Sequence, residues 1–405
     1  MVCAVFGIIK AVMAKSKSLT KATFSGFLWL GGIKLSNAVF QFGILAVLAR
    51  LLTPTEFGLM GLALIVVSFS EIFNDLGFGP AITQKEEITA TDINTAFFSS
   101  VLFGGILVAL VWASSGPVAH FFGNEGLQPI LKVIAFVLLI RACTTTPLGL
   151  MYRELQYKVL SLIQITSYVL GYGAVGITLA YLGYGTWALV YAVLCQATLS
   201  LLLYLFFSNY KYKLEIDKQS FKSLLHFGGG YSLSKVFSFA ANRGDKIVIG
   251  KMLGVEALGV YERSYQVVRQ TSGLVGEIVD KVLFSPFARK QNDRELIAKV
   301  YLDMTYLFAI IFMPFSAFIY VNAESLVGIL LGSNWSEAVP VAKAFAYMPF
   351  FVIATRISST IAKSLGDVYR RAFRTLIYAI LVFSSSFYFS QYGLVAVATA
   401  IVVCK

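Results

Sequence analysis

Long apolar stretches, cut by short polar connections, run the length of the chain. Those near 57–70, 93–113, 158–182, 185–207, 301–321 and 376–390 are apolar enough, and most long enough, to cross a bilayer. A spanning helix needs about 20 residues at about 1.5 Å rise each. Read window by window, the pattern predicts helices near 24–48, 56–80, 93–114, 127–149, 158–182, 185–207, 222–250, 256–283, 300–321, 340–362, 372–389 and 392–404. The last offers about 13 residues, or ~20 Å of helix, against a hydrocarbon core of ~30 Å. It reads as cut off, and the chain as a fragment.

Charge adds orientation. Lys10, Lys15, Lys17 and Lys21 precede the first predicted span. The even-numbered connections carry Lys85, then Arg153 and Lys158, then Lys211, Lys213, Lys218 and Lys222, then Arg289, Lys290, Arg294 and Lys299, and last Lys363, Arg370, Arg371 and Arg374. The odd-numbered connections offer only Arg50 and Lys251, both at helix edges. The positive-inside rule then puts both termini in the cytoplasm. The formal net charge of +12 is mostly this topology signal. A nucleic-acid patch would not alternate with the spans, so no nucleic-acid partner is expected. The opening MVCAVFGIIKAVMAK has no charged region ahead of its apolar piece and is a poor signal peptide. MAKSKSLTKATFSGF, from Met13, reads better as a cytoplasmic start.

Composition agrees: 58% of residues are hydrophobic and 13% charged, with mean hydropathy +0.76. Soluble domains carry about 25% charged residues. Cys3, Cys143, Cys195 and Cys404 are scattered singly without metal spacing. The two histidines, His120 and His226, lie far apart. No metal or cofactor is expected.

Residues 47–60, VLARLLTPTEFGLM, have an echo at 248–261, VIGKMLGVEALGVY, 201 positions on. At that offset Lys34 matches Lys235, Gln41 matches Asn242, Gly43 matches Gly244, Leu52 matches Leu253 and Gly58 matches Gly259. Later, FGPAITQKEE (78–87) resembles FSPFARKQND (284–293), an offset of 206. Each copy would hold six spans. Six is even, so both copies enter from one side, a parallel repeat with a cleft between its halves. The expected fold is an all-α polytopic membrane protein with about twelve transmembrane helices in two six-helix lobes around a central cavity. Its parts are a cytoplasmic tail (1–23), an N-lobe (24–207), a cytoplasmic linker (208–221) and an incomplete C-lobe (222–405). Thr53-Pro54-Thr55-Glu56 fits a capping box that turns the chain between spans one and two, and Gly254-Val255-Glu256-Ala257 keeps a turn without the box.

Several charges fall inside the predicted spans: Lys34, Glu71, Asp75, Arg141, Lys235, Arg243, Asp245, Lys246, Arg263, Arg269, Glu277, Asp280, Asp303 and Arg356. A central charge costs roughly 2.5–3.5 kcal/mol even on the lenient insertion scale. These groups must face protein or a wet cavity. Lys34, Asn37 and Gln41 share one helical stripe, and Lys235, Ser238, Asn242 and Lys246 continue the same stripe in the second copy. Cations suit a phosphate and amides suit sugar hydroxyls. The alternative is interhelical hydrogen bonding inside each lobe. Arg243, Arg263 and Arg356 are further cavity candidates. Glu71 and Asp75, at i and i+4, would raise one another's proton affinity and could couple transport to protons. The alternative is neutralisation by a neighbour such as Lys34. Asp245, between Arg243 and Lys246, reads as ion-paired first and ion-coupling second. Glu277 and Asp280 read as solvated or paired.

LARLLTPTEFGLMGLALIVVSFSEIFNDLGFGPAITQ (48–84) resembles the opening helices of bacterial polysaccharide-unit flippases, the Wzx-like branch of the multidrug/oligosaccharidyl-lipid/polysaccharide exporter superfamily. KIVIGKMLGVEALGVYERSYQV (246–267) resembles the start of that family's second half. The likeness is nearest the colanic-acid and exopolysaccharide type. It implies a transporter, not an enzyme, that moves undecaprenyl-diphosphate-linked oligosaccharides between leaflets by alternating access. The implied partners are that lipid-diphosphate-linked oligosaccharide and membrane lipid, with polysaccharide polymerase machinery as a further partner. The family's cationic cavity would fall on Lys34, Lys235, Arg243 and Lys246. Two rivals stay open. A multidrug antiporter of the same superfamily would favour an acidic cavity, against the basic stripes here. A membrane polymerase or ligase would need a large external loop, whereas the longest here, near 322–339, carries only Glu324 and Glu337 as acidic groups.

Overall fold

A computed structural model describes residues 38–74, 78–85, 87–210, 212–268, 294–364 and 368–405. The predicted positions Lys34, Asn37, Asp75, Arg269, Glu277 and Asp280, and the second echo at 284–293, lie outside the described residues. The chain divides into two units, 1–43 and 44–405. In the first, residues 38–43 are helical. The second is helical almost throughout its described length.

In chain order the helices are α1 (Ala38–Leu51), α2 (Pro54–Asn74), α3 (Phe78–Gln84), α4 (Ala90–Phe122), α5 (Leu127–Ile134), α6 (Phe136–Arg153), α7 (Tyr157–Tyr181), α8 (Thr186–Ser208), α9 (Lys218–Met252), α10 (254–268), α11 (Arg294–Val321), α12 (Ala323–Leu330), α13 (Ala338–Phe345), α14 (Met348–Ser364), α15 (Val368–Phe389) and α16 (Leu394–Cys404). Among the described residues, seven helical stretches are long and apolar enough to cross a membrane, and the bent pair α13–α14 makes an eighth if it is one span. This is an all-α polytopic membrane fold. Every predicted span coincides with helix in its described part. The long helix α9 is not one of the seven apolar stretches, and Lys235, Arg243, Asp245, Lys246 and Lys251 crowd its second half.

Local chemistry sets the ends. Thr53 and Glu56 form the predicted capping box: the Glu56 amide donates to Thr53 Oγ1 (3.3 Å), and the Thr53 amide to Glu56 Oε2 (2.7 Å). In the second copy Gly254 takes the turn at φ +89°, a backbone setting that glycine adopts without strain. Helix α4 runs past Pro117 to Gly123, which closes it in the left-handed region at φ +66°. In α7 the stretch Val169–Gly176 is π-helical, and a Cβ at Gly171 would press on Ala192 and Gln196 of α8. Small residues thus let α7 and α8 approach closely.

The repeat reappears as reciprocal contact. A Cβ at Gly58 would overlap the Val255 carbonyl, and a Cβ at Gly259 would overlap the Pro54 carbonyl. Gly58 and Gly259 are equivalent at the 201 offset, and so are Pro54 and Val255. Helices α2 and α10 therefore cross backbone to backbone at matching positions, a contact that only glycine permits. Arg50 and Lys251, again equivalent, repeat the exchange. Arg50 Nη2 donates to the Ile329 carbonyl at the end of α12 (2.9 Å), and Lys251 Nζ donates to the Phe121 carbonyl at the end of α4 (2.5 Å). Each cation meets the last carbonyls of a helix, where the macrodipole favours positive charge. The main apolar core gathers around this crossing and includes Leu52, Leu62, Ile249, Leu258, Tyr261 and Trp335. Trp335 Nε1 donates to the Ala49 carbonyl (2.7 Å), and its ring meets Phe57 edge-on.

Candidate functional site

The crossing positions a cluster of charge one turn further along the same helices. Glu262 lies eight positions after Gly254, about 12 Å along α10. Its carboxylate is buried and meets three cations. Lys246 Nζ donates to Oε1 at 2.6 Å, Arg243 lies 3.7 Å from Oε1, and Arg263 lies 3.9 Å from Oε2. Lys246 is also buried, while Arg243 is half-buried. Asp245 accepts a hydrogen bond from the Tyr261 hydroxyl (2.6 Å) through Oδ2, while its buried Oδ1 has no hydrogen-bond partner among the described residues. Three cations against two carboxylates leave this group at a formal +1.

Arg263 reaches across the repeat. Its guanidinium sits over the Phe57 ring of α2 at 4.5 Å, donates to Gln266 Oε1 (2.6 Å), and lies within electrostatic reach of Tyr168 and Tyr172 of α7. Those two rings stack on one another with centroids 5.0 Å apart. Arg263 Nε is buried without a hydrogen-bond partner among the described residues. Tyr172 is likewise within reach of Arg141 on α6, which pairs with Glu71 of α2. Polar groups thus run from Glu71–Arg141, past the tyrosine pair, to Arg263 and Glu262.

The structure brings together Arg243, Asp245, Lys246 and Arg263. Asn242 sits beside them on α9, exposed, and donates back to the Ser238 carbonyl (2.6 Å). Lys235 is half-buried two turns earlier on the same helix. Arg356 is half-buried on α14. Gln41 belongs to the first unit. Glu71 is paired, and its partner is Arg141.

Sequence reasoning missed Glu262. The signal was present as a break in the repeat: Glu262 is the equivalent of Gly61. A Cβ at Gly61 would come within 2.8 Å of Glu262 Oε2, so the small residue in one copy makes room for the carboxylate in the other.

Comparison with known proteins adds an outside measure. A family model described as "Polysaccharide biosynthesis protein" matches residues 47–340. The teichuronic acid biosynthesis protein TuaB of Bacillus subtilis (strain 168) is 26% identical over 81% of this chain and 68% of its own length. The lipopolysaccharide biosynthesis protein WzxC of Escherichia coli (strain K12) is 22% identical over 80% of this chain and 66% of its own length. The chain thus spans about two thirds of these relatives. Among solved structures, the lipid II flippase MurJ in an inward closed conformation superposes with TM-score 0.74 at 12% identity, covering 93% of this chain and 84% of that one. An inward-facing multidrug resistance transporter of the MATE family superposes with TM-score 0.71 at 15% identity, covering 92% and 94%. At these identities the structural likeness speaks for the fold.

Proposed function

Because the chain belongs to the polysaccharide biosynthesis protein family, we propose that it carries undecaprenyl-diphosphate-linked oligosaccharide units from the cytoplasmic to the outer leaflet by alternating access. The observation that carries this reading is the cation group of buried Lys246 and half-buried Arg243 and Arg263, built where two equivalent helices cross. Buried cations inside a membrane fold are costly. A diphosphate is the chemistry that repays them, because its oxygens accept the bidentate guanidinium and ammonium donors offered here. Tyrosine and amide groups nearby suit sugar hydroxyls.

In this reading the protein is a transporter with two lobes, 24–207 and 222–405, joined by a linker at 208–221. It lies in a bacterial inner membrane with both termini inside. The turns at 53 and 254 then face outward, and the Gly58–Gly259 crossing closes the outer end. Cargo enters from the cytoplasm, its lipid tail stays in the bilayer, and the lobes rock to open outward. Glu71, Asp75 and Asp245 are the candidates for coupling the cycle to protons or sodium. Polysaccharide polymerase machinery would receive the exported unit. The net positive charge of the group disfavours efflux of cationic drugs.

Accumulation tests the proposal. Cells lacking the protein should build up a diphosphate-linked oligosaccharide on the inner leaflet, and R243Q or K246Q at normal expression should fail to clear it. Undiminished export in the deletion strain, or full rescue by both variants, rejects it. Lys34→Ala and Lys235→Ala form a separate test of the basic stripes, rejected by unchanged export.

A further inference from the structure

We infer that Glu262 is an internal stand-in for the cargo's phosphate: it holds the cation cluster when the site is empty and is displaced from it when an anionic headgroup arrives. The inference rests on the diphosphate reading above and adds a residue and an exchange that reading does not contain.

Among the described residues, Glu262 is the carboxylate on which Arg243, Lys246 and Arg263 converge. The three contacts are graded. Lys246 is bonded at 2.6 Å, while the two guanidinium groups stand off at 3.7 and 3.9 Å, beyond hydrogen-bond length. The arginines thus lean toward an anion too small to satisfy them, and Arg263 Nε is a buried donor with no acceptor among the described residues. With Asp245 counted, two carboxylates face three cations, and Glu262 alone meets all three. A diphosphate brings more charge and more acceptor oxygens, and matches the planar fork of each arginine.

The surroundings allow the exchange. Asp245 accepts from the Tyr261 hydroxyl and reaches Lys246 through its field and its backbone amide, whereas the Lys246 ammonium is bonded to Glu262. Across the helix crossing, Gly61 leaves the space into which Glu262 Oε2 projects. The same cluster reaches the first copy through Arg263 over Phe57. Moving Arg263 from Glu262 to a phosphate would therefore loosen a contact between α10 and α2 just beneath the Gly58–Gly259 crossing. Arrival of cargo and release of the crossing become one event.

The test measures binding of inorganic pyrophosphate to the purified full chain in detergent, by calorimetry, for wild type, E262Q, E262D and the double variant R243Q/E262Q. Removing the resident charge should free the cations, so E262Q should bind about tenfold tighter than wild type, the scale of one charge-assisted hydrogen bond. The double variant should return toward the wild-type value, and E262D should stay close to it. A purely structural role for Glu262 predicts the opposite, because damage to the site weakens binding. If wild type binds and E262Q binds equally or more weakly, the stand-in is overturned and the diphosphate reading survives. If neither wild type nor E262Q binds, both fall. Should E262Q not fold, E262A in a K246M background removes the carboxylate and its bonded partner together. In that background, binding no tighter than in K246M alone overturns the inference.

Discussion

Glu71 and Arg141 join α2 to α6 inside two of the apolar spans. Removing one member leaves the other charged and partnerless. For a pair half open to its surroundings, R141A should lower stability by about 1–2 kcal/mol, less than the about 3–5 kcal/mol of a fully buried pair. The double variant E71Q/R141Q should recover most of that loss, and a thermal double-mutant cycle in detergent reads the coupling. If R141A alone costs nothing, the pair is not structural and Glu71 is free for ion coupling. A residue outside the spans sets a pH dependence. Asp217 caps α9: the Ser220 amide donates to its Oδ2 at 2.7 Å and holds its carboxyl below the ordinary aspartate range. Ionised Asp217 therefore stabilises the fold above the unfolded aspartate value of ~3.9. That contribution is lost as pH falls through the lower folded value. D217N should keep the cap at neutral pH and flatten the acid limb of the melting profile, whereas D217A should lose both. At this scale the sequence was partly legible. The charges of α9 were visible as misplaced inside a span, but which carboxylate they meet depends on the packing of α10, and Glu262 was passed over beside Arg263.

The crossing of α2 and α10 depends on two hydrogen atoms. Gly58→Ala or Gly259→Ala would drive a methyl into a carbonyl of the opposite helix, and overpacking of this kind costs about 1–3 kcal/mol. Each variant should lower the melting temperature and reduce export. Gly105→Ala, at a position of α4 with open space around its Cβ, should leave both unchanged or raise stability by up to about 1 kcal/mol through helix propensity. Equal effects at Gly58 and Gly105 would mean the crossing carries no strain. The repeat made these glycines visible as a matching pair, yet periodicity could not say that the pair touches, because symmetry constrains equivalence and not contact. Elements followed the same rule. Helix α2 runs to Asn74, short of its predicted end at 80, whereas α8, a clean apolar run, was legible almost to its ends. The short helices α3 and α12 were not, since seven or eight residues hold too few turns to impose a period. Helix α4 outran its predicted span of 93–114 because its far end closes at Gly123, beyond Pro117.

Across the molecule, the outer end of the proposed topology is fastened twice by the same device. Arg50 holds the end of α12, and Lys251 holds the end of α4. Alternating access requires both fastenings to release together, because freeing one copy leaves the other clamped across the pseudo-twofold contact. A charged hydrogen bond is worth about 1.5–3 kcal/mol, and about 1 kcal/mol when exposed as these are. R50A/K251A should therefore move the closed-to-open balance by about 2 kcal/mol, roughly 30-fold. Leu62 reports on it, being fully buried and pressed against Gly250 at the crossing. In a background where Cys3, Cys143, Cys195 and Cys404 are replaced by Ser, a cysteine at position 62 should react slowly with a membrane-impermeant maleimide added outside. Adding R50A and K251A together should speed that reaction at least about tenfold, while either alone should give a much smaller change. If one variant alone gives the whole increase and the other adds nothing, the two ends open independently, and the repeat would then be an inherited likeness with no part in the motion.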